Sequence, residues 1–261
     1  MKKFAALGLS ALLMMCVAAG CSQKEKETEK FESKKILVMG TSADYAPFEY
    51  IDTKNNNEII GFDPDIAKAI GEKLGYKIEI EDIDFNSLIQ AMNSDKVDFV
   101  MASMTKDEER DKVADFTDVY YEAKNIVLVK KDSGIDSLED LKGKTIGAQN
   151  GSIQQDKAEE LNPDLAFGKI ELRNRIPELF QEIKVDRFDG LVVEDTIAKG
   201  YLKKFPELKS IEIPSNGEEN GFAIAFPNDS EYTEEFNKAL KEMKENGELE
   251  KLIVKWFDDK E

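Results

Sequence analysis

The run Ser103-Met104-Thr105-Lys106-Asp107-Glu108-Glu109-Arg110 places a guanidinium shortly after two hydroxyls. A guanidinium is a planar fork of donors that matches a carboxylate two bonds at a time. Thr105-x-x-Glu108 has the spacing of a capping box, which predicts a helix starting at Thr105. The mouth of such a helix carries orphan N–H groups and the positive end of the dipole, and Arg110, leaning back from the second turn, would add its fork. A small carboxylate fits that mouth. The competing reading is a surface Arg110 paired with Asp107 or Glu109, and this stretch alone leaves both open.

The opposite charge occurs at Glu194, directly after the apolar run Gly190 to Val193. A carboxylate at the end of a buried strand could hold an ammonium group; it serves equally well as the cap of a helix from Asp195 onward. Asn150-Gly151-Ser152 turns into a helix starting near Ile153, a second mouth suited to an anion, with Gln154 in its first turn. The loop from Thr41 to Tyr50 is aromatic and acidic and carries Asp44 and Tyr45. The chain has no histidine, which removes His-based triads and His-ligated metals, and its carboxylates and hydroxyls show no catalytic pairing. Neither a metal nor a cofactor is expected.

The elements that must position these groups alternate. Lys35 to Gly40 reads as a strand, and a polar hairpin surrounds Asn55 to Asn57. Asp63 reads as N-cap of a helix with Pro64 first, Ile66, Ala69 and Ile70 inward, and Gly75 as its stop. Tyr76 to Glu81 is a strand, Asp84 or Asn86 caps a helix from Ser87 to Asn93, and a strand runs to Met104. Phe116 to Tyr121 and Asn125 to Lys130 are extended and lead to a second series: a short helix ended by Gly143, a strand from Lys144 to Ala148, the helix near Ile153, and one from Pro177. Phe222 to Phe226 is a last strand, followed by a helix from Ser230 to Glu245 and another from Leu249 to Phe257. Strands alternating with helices imply parallel, crossover-connected α/β sheets, here in two similar lobes that face each other. Ligands then sit beyond the C-terminal strand ends, where Asp44, Tyr45, Phe85, Ser103 and Arg110 would gather.

Lys2-Lys3 followed by an apolar run from Phe4 to Ala19 and then Gly20-Cys21 reads as a signal peptide over residues 1–20. Small residues before a cysteine resemble a bacterial lipoprotein signal, which implies acylation of Cys21, although Ala18 stands where that pattern usually has Leu. Cys16 leaves with the signal, so the mature chain has no internal disulfide. Residues 21–33, mostly Lys and Glu, form a disordered tether. The 36 basic and 54 acidic side chains give a formal charge of −18, or −20 without Lys2 and Lys3, which excludes nucleic acid as a partner.

Six stretches then match one family in order: Tyr45-Ala46-Pro47-Phe48-Glu49, Gly61-Phe62-Asp63, Thr105 to Arg110, Phe116 to Tyr121, Leu138 to Gly151, and Lys255-Trp256-Phe257. From about Lys35 to Phe257 the chain resembles the family 3 extracellular solute-binding proteins of amino-acid ABC transporters, and within them the arginine-binding lipoproteins of Gram-positive bacteria. The resemblance implies the type II periplasmic-binding-protein-like fold: α/β, two Rossmann-like lobes joined by two crossover strands, near Ala123 to Ile126 and Asn220 to Ala223. One lobe would comprise residues 34–124 and 222–261, the other 125–221. Lobe closure over a ligand would be read by membrane permease subunits.

Carried over by position, Arg110 looks like the α-carboxylate clamp, helped by Ser103, Met104 and Thr105, with Ser152 and Ile153 approaching from the other lobe. Glu194 stands where the family commonly has Asp for the α-ammonium. Tyr45 and Phe85 fall where rings sandwich the ligand side chain, and Asp44 is placed to neutralise a cationic head; Gln154 and Asn174 complete the set. Lys106 to Glu109 departs from relatives that carry an apolar residue and a proline there, but leaves the arginine spacing intact. The expected ligand is arginine, then lysine or histidine, bound without catalysis by a monomer anchored through Cys21 on the extracytoplasmic face. The alternatives are a binder of glutamine or cystine, or an enzyme on the same fold, a dehydratase or a murein-cleaving transglycosylase.

Overall fold

The computed structural model describes residues 34–214 and 220–258; the expected signal peptide, Cys21 and the tether lie outside them. The first series comprises β1 (Lys35–Thr41), β2 (Asp44–Tyr45), β3 (Glu49–Asp52), β4 (Glu58–Ile60), α1 (Phe62–Leu74), β5 (Tyr76–Asp82), α2 (Leu88–Asn93), β6 (Phe99–Val100), β7 (Asp115–Phe116) and β8 (Tyr121–Ala123). The second runs through β9 (Asn125–Lys130), β10 (Thr145–Gln149), α3 (Ile153–Leu165), β11 (Lys169–Arg173), α4 (Ile176–Lys184), β12 (Gly190–Glu194), α5 (Asp195–Lys204) and β13 (Leu208–Glu212). The chain then returns through β14 (Asn220–Phe222), β15 (Ala225–Phe226), α6 (Glu231–Glu245) and α7 (Glu248–Phe257).

Two five-stranded sheets result, ordered β5-β1-β6-β15-β7 and β11-β10-β12-β9-β13. In each, four strands run in one direction and one runs against them: β15 between β6 and β7, and β9 between β12 and β13. The chain passes between the sheets twice, at β8 and β14, which pair antiparallel with Phe222 opposite Tyr121. Two lobes joined by two crossovers result, as the expected fold class requires.

Burial explains the elements. Every residue of β12 is buried, as a strand covered on both faces requires. In α6, Phe236, Ala239, Leu240 and Met243 form the inward stripe, and the Ser230 hydroxyl accepts from the Tyr232 N–H at 3.3 Å. Phe48, Phe62, Tyr121, Phe222 and Phe257 pack ring against ring where the crossovers meet the first lobe. Full burial of such a side chain contributes about 1.5–3 kcal/mol.

Several expectations are corrected. No helix starts at Thr105. Its backbone bridges to Phe222, Met104 O accepts from Ala223 N at 3.0 Å, and Lys106 N donates to Gly221 O at 3.3 Å. Pairing with the returning crossover thus consumes the groups a helix would use. Asp107 Oδ1 instead accepts from the N–H groups of Glu109 and Arg110, at 2.9 and 2.8 Å, and only a 3₁₀ turn at Arg110–Lys112 follows.

Asp63 is not the cap of α1. That place belongs to Gly61, whose φ of +144° and close approach to Phe48 O, 2.0 Å from where a Cβ would stand, admit only glycine. The buried Asp63 carboxylate turns inward, accepting from Ser103 N at 2.8 Å and from the Tyr120 hydroxyl at 2.7 Å. The short helix before Gly143 is a 3₁₀ turn, Glu139–Leu141, and a 3₁₀ turn at Phe85–Ser87 precedes α2. β11 and β13 were not foreseen, although Lys169-Ile170-Glu171-Leu172-Arg173 alternates as an edge strand does.

Candidate functional site

A narrow cavity lies between the lobes, at the C-terminal ends of the parallel strands, and residues of both lobes line it. The first lobe supplies Ser42, Asp44, Tyr45, Glu49, Phe85, Ala102, Ser103, Thr105 and Arg110; the second supplies Gln149, Ile153, Gln154 and Glu194. Strands carry five of them: Asp44 and Tyr45 form β2, Glu49 opens β3, Gln149 ends β10 and Glu194 ends β12.

Arg110 reaches the cavity without a helix beneath it. Its side chain is 12% exposed, and Nε meets Asp107 Oδ2 at 3.2 Å. Nη1 donates to Thr105 O, and Nη2 crosses to Gly151 O of the second lobe at 3.0 Å. The guanidinium also lies 5.6 Å from the centre of the Phe85 ring. Arg110 is therefore paired with Asp107 and also lines the cavity. Burial holds its pKa below the usual arginine value, with Asp107 and Asp156 opposing that shift. Two unusual features surround it: Ser103 sits at φ +50°, held there through its N–H by Asp63, and the Thr105 hydroxyl is buried without a hydrogen-bond partner. Gly151 approaches so closely that a Cβ there would stand 2.9 Å from the Asn86 Cβ.

The acidic groups are short of cations. Glu194 is 2% exposed; Oε1 accepts from Gln154 Nε2 at 2.5 Å and Oε2 has no partner. Burial pushes its carboxyl up to about 8. Asp44 is raised to about 6 by burial, opposed by the Arg175 charge and by the Ile176 N–H on Oδ2 at 3.0 Å. Glu49, which accepts from the Ser103 hydroxyl at 3.2 Å, is pushed well above the ordinary carboxylate range by burial and by the neighbouring Asp63. Two buried carboxyls, the half-buried Asp44 and one guanidinium therefore wall the cavity. Ionising those acids costs desolvation energy that an entering cation would offset.

Three expected residues lie off the wall. Met104 is buried in the core behind it, and Ser152 caps α3, accepting from Gln155 N at 3.3 Å and donating to Gln149 O at 2.8 Å. Asn174 Nδ2 donates to Asp84 Oδ2 at 3.1 Å, across the cleft from the cavity. Four lining residues were not foreseen: Ser42, Glu49, Ala102 and Gln149. Gln149 carried a usable signal, because it ends its strand as Glu194 does. Glu49 carried another, as a charge set among Tyr45, Phe48 and Tyr50. Among the described residues no group of three or more acidic, Cys or His side chains is placed to hold a metal, and no helix is long and apolar enough to cross a membrane.

Two α/β lobes on paired crossovers, with a polar cavity between facing strand ends, define a cleft-type solute-binding protein. The chain belongs to the bacterial extracellular solute-binding proteins, family 3, whose model matches residues 37–259. It is 53% identical over 258 residues to the arginine-binding extracellular protein ArtP of Bacillus subtilis (strain 168), covering 98% of each chain. A crystal structure of the substrate-binding protein of an amino acid ABC transporter superposes with a TM-score of 0.79 at 42% identity, covering 86% of this chain and all of that one. An ancestral arginine-binding protein bound to arginine gives 0.78 at 41%, covering 85% of this chain and 98% of its own.

Proposed function

We propose that this chain captures arginine, and less tightly other basic amino acids, outside the cytoplasm and delivers it to the permease of an ABC importer. The observation that carries this reading is the excess of buried carboxyls over cations around the cavity, above all Glu194 with its unpartnered Oε2. In this reading Arg110, with Ser103 and the orphan Thr105 hydroxyl, receives the α-carboxylate, and Glu194, steadied by Gln154, receives the α-ammonium. Tyr45 and Phe85 flank the side chain. Asp44 and Glu49 face its guanidinium, where each aromatic contact contributes about 0.5–2 kcal/mol. The relatives' names support the ligand class. These groups hold a zwitterion and aim no acid or base at a scissile bond, so the ligand is released unchanged. The reading extends to a signal over residues 1–20, acylated Cys21 and a tether to residue 33, with lobes of 34–124 plus 222–261 and of 125–221 in a monomer.

Isothermal titration with arginine tests it, with Arg110→Ala as the paired variant. The wild type should bind arginine, and the variant should lose about 2–5 kcal/mol, because a buried carboxylate would be left without its partner. Near wild-type affinity in the variant would remove Arg110 from the site.

A further inference from the structure

Three consecutive residues where β11 gives way to α4, Asn174, Arg175 and Ile176, cross the cleft at its rim. Arg175 donates through Nε to Asp84 Oδ1 and through Nη1 to Asp82 Oδ1, each at 2.7 Å. Asn174 Nδ2 donates to the other oxygen of Asp84 at 3.1 Å, and the N–H of Ile176 to Asp44 Oδ2 at 3.0 Å. Asp82 Oδ1 also accepts from Ala43 N at 2.9 Å, so the carboxylate that receives Arg175 fixes the loop that carries Asp44.

We infer that Arg175 is an affinity-setting residue: its guanidinium bridges Asp82 and Asp84 to hold the lobes shut from the rim, and seats the first turn of α4 on Asp44. The inference rests on the proposed capture of an amino acid between the lobes. Contacts to the ligand distinguish one ligand from another. Contacts present only in the closed form, and touching no ligand, multiply every ligand's affinity by a common factor. The bonds of Arg175 and Asn174 to Asp82 and Asp84 are of the second kind, since they join the lobes at residues outside the cavity wall, whereas the Ile176 bond ends on Asp44, which lines it. A single exposed ion pair contributes little, and Arg175 is 25% exposed against 30% for Asp82 and 40% for Asp84. One planar fork shared between two carboxylates, with an amide on the second, forms a network in which each bond orients the next. Lysine, a point charge, cannot bridge in this way.

The test compares R175Q and D84N with the wild type in the full chain, measuring affinity and dissociation rate for arginine and for lysine. The two ligands carry equal charge, and the two substitutions change the protein's charge in opposite directions. Loss of the bridge should weaken both ligands by the same factor in both variants, about five- to twentyfold, through faster dissociation at an unchanged association rate. The inference is overturned if either variant releases both ligands at the wild-type rate, or if the variants shift affinity in opposite directions, which is the mark of long-range charge alone. If the wild type binds neither ligand, amino-acid capture falls instead. Solution scattering of the free proteins then decides the bridge: a larger radius of gyration in R175Q supports it, and an equal one overturns it.

Discussion

Glu194 shows how one residue couples binding to pH. Its carboxyl, raised to about 8 by burial, is largely protonated at neutral pH, and a cation beside it restores the ionised form. Ligand binding at pH 7 should therefore expel protons, visible as a binding enthalpy that varies with the ionisation enthalpy of the buffer. The variation should shrink in Glu194→Gln, with Glu49, also raised by burial, supplying the remainder, and should diminish above pH 9. The same shift acts on the empty fold. A carboxyl raised above its ordinary 4.5 contributes stability that is complete below that value and is lost as pH rises through about 8. Acid release of the ligand follows the same sign, because protonated Glu194 has no charge to offer an ammonium group.

At the scale of elements, α3 shows how a local signal can serve a site without touching it. Ser152 is expected at the ligand and is found instead as the cap of α3, its hydroxyl occupied by Gln149 O and Gln155 N. Its contribution is to start α3 where Ile153 and Gln154 reach the cavity and Gly151 O meets Arg110. Ser152→Ala should lower unfolding free energy by about 1 kcal/mol, read from the denaturant midpoint at constant m-value. Retained stability would mean that the cap is redundant. The segment after Thr105 makes the converse point, since a capping-box spacing gives way to strand pairing with a chain more than a hundred residues away.

For the whole molecule, a ligand held between two lobes is a cross-link that only the folded state provides. At arginine concentrations 100 times the dissociation constant, unfolding free energy should rise by about 2.7 kcal/mol. Trp256 is the chain's single tryptophan and belongs to α7 of the first lobe, where its indole N–H donates to Asp65 at 2.7 Å. Its fluorescence and far-ultraviolet dichroism should share one midpoint that moves with ligand; a midpoint unaffected by arginine would show that the cavity does not bind it.

Local chemistry in the sequence determined the strands and helices that pack by period, the helix starts near Ile153 and Ser230, the glycine stop of α1, and the strand-end placing of Glu194. Those features depend on neighbours a few residues away, so the chain order displays them. It could not display that Asp63 turns from a cap into the group that holds Ser103, that Arg110 stands on a 3₁₀ turn, or that Asn174 faces Asp84 rather than the cavity. Those outcomes depend on backbone and side-chain partners far away in sequence, brought within hydrogen-bond reach only when the crossovers pair and the lobes meet. Glu49 belongs with them, because a buried acid is recognised by what surrounds it, and its surroundings include Asp63 of α1, the Ser103 turn and Asp44.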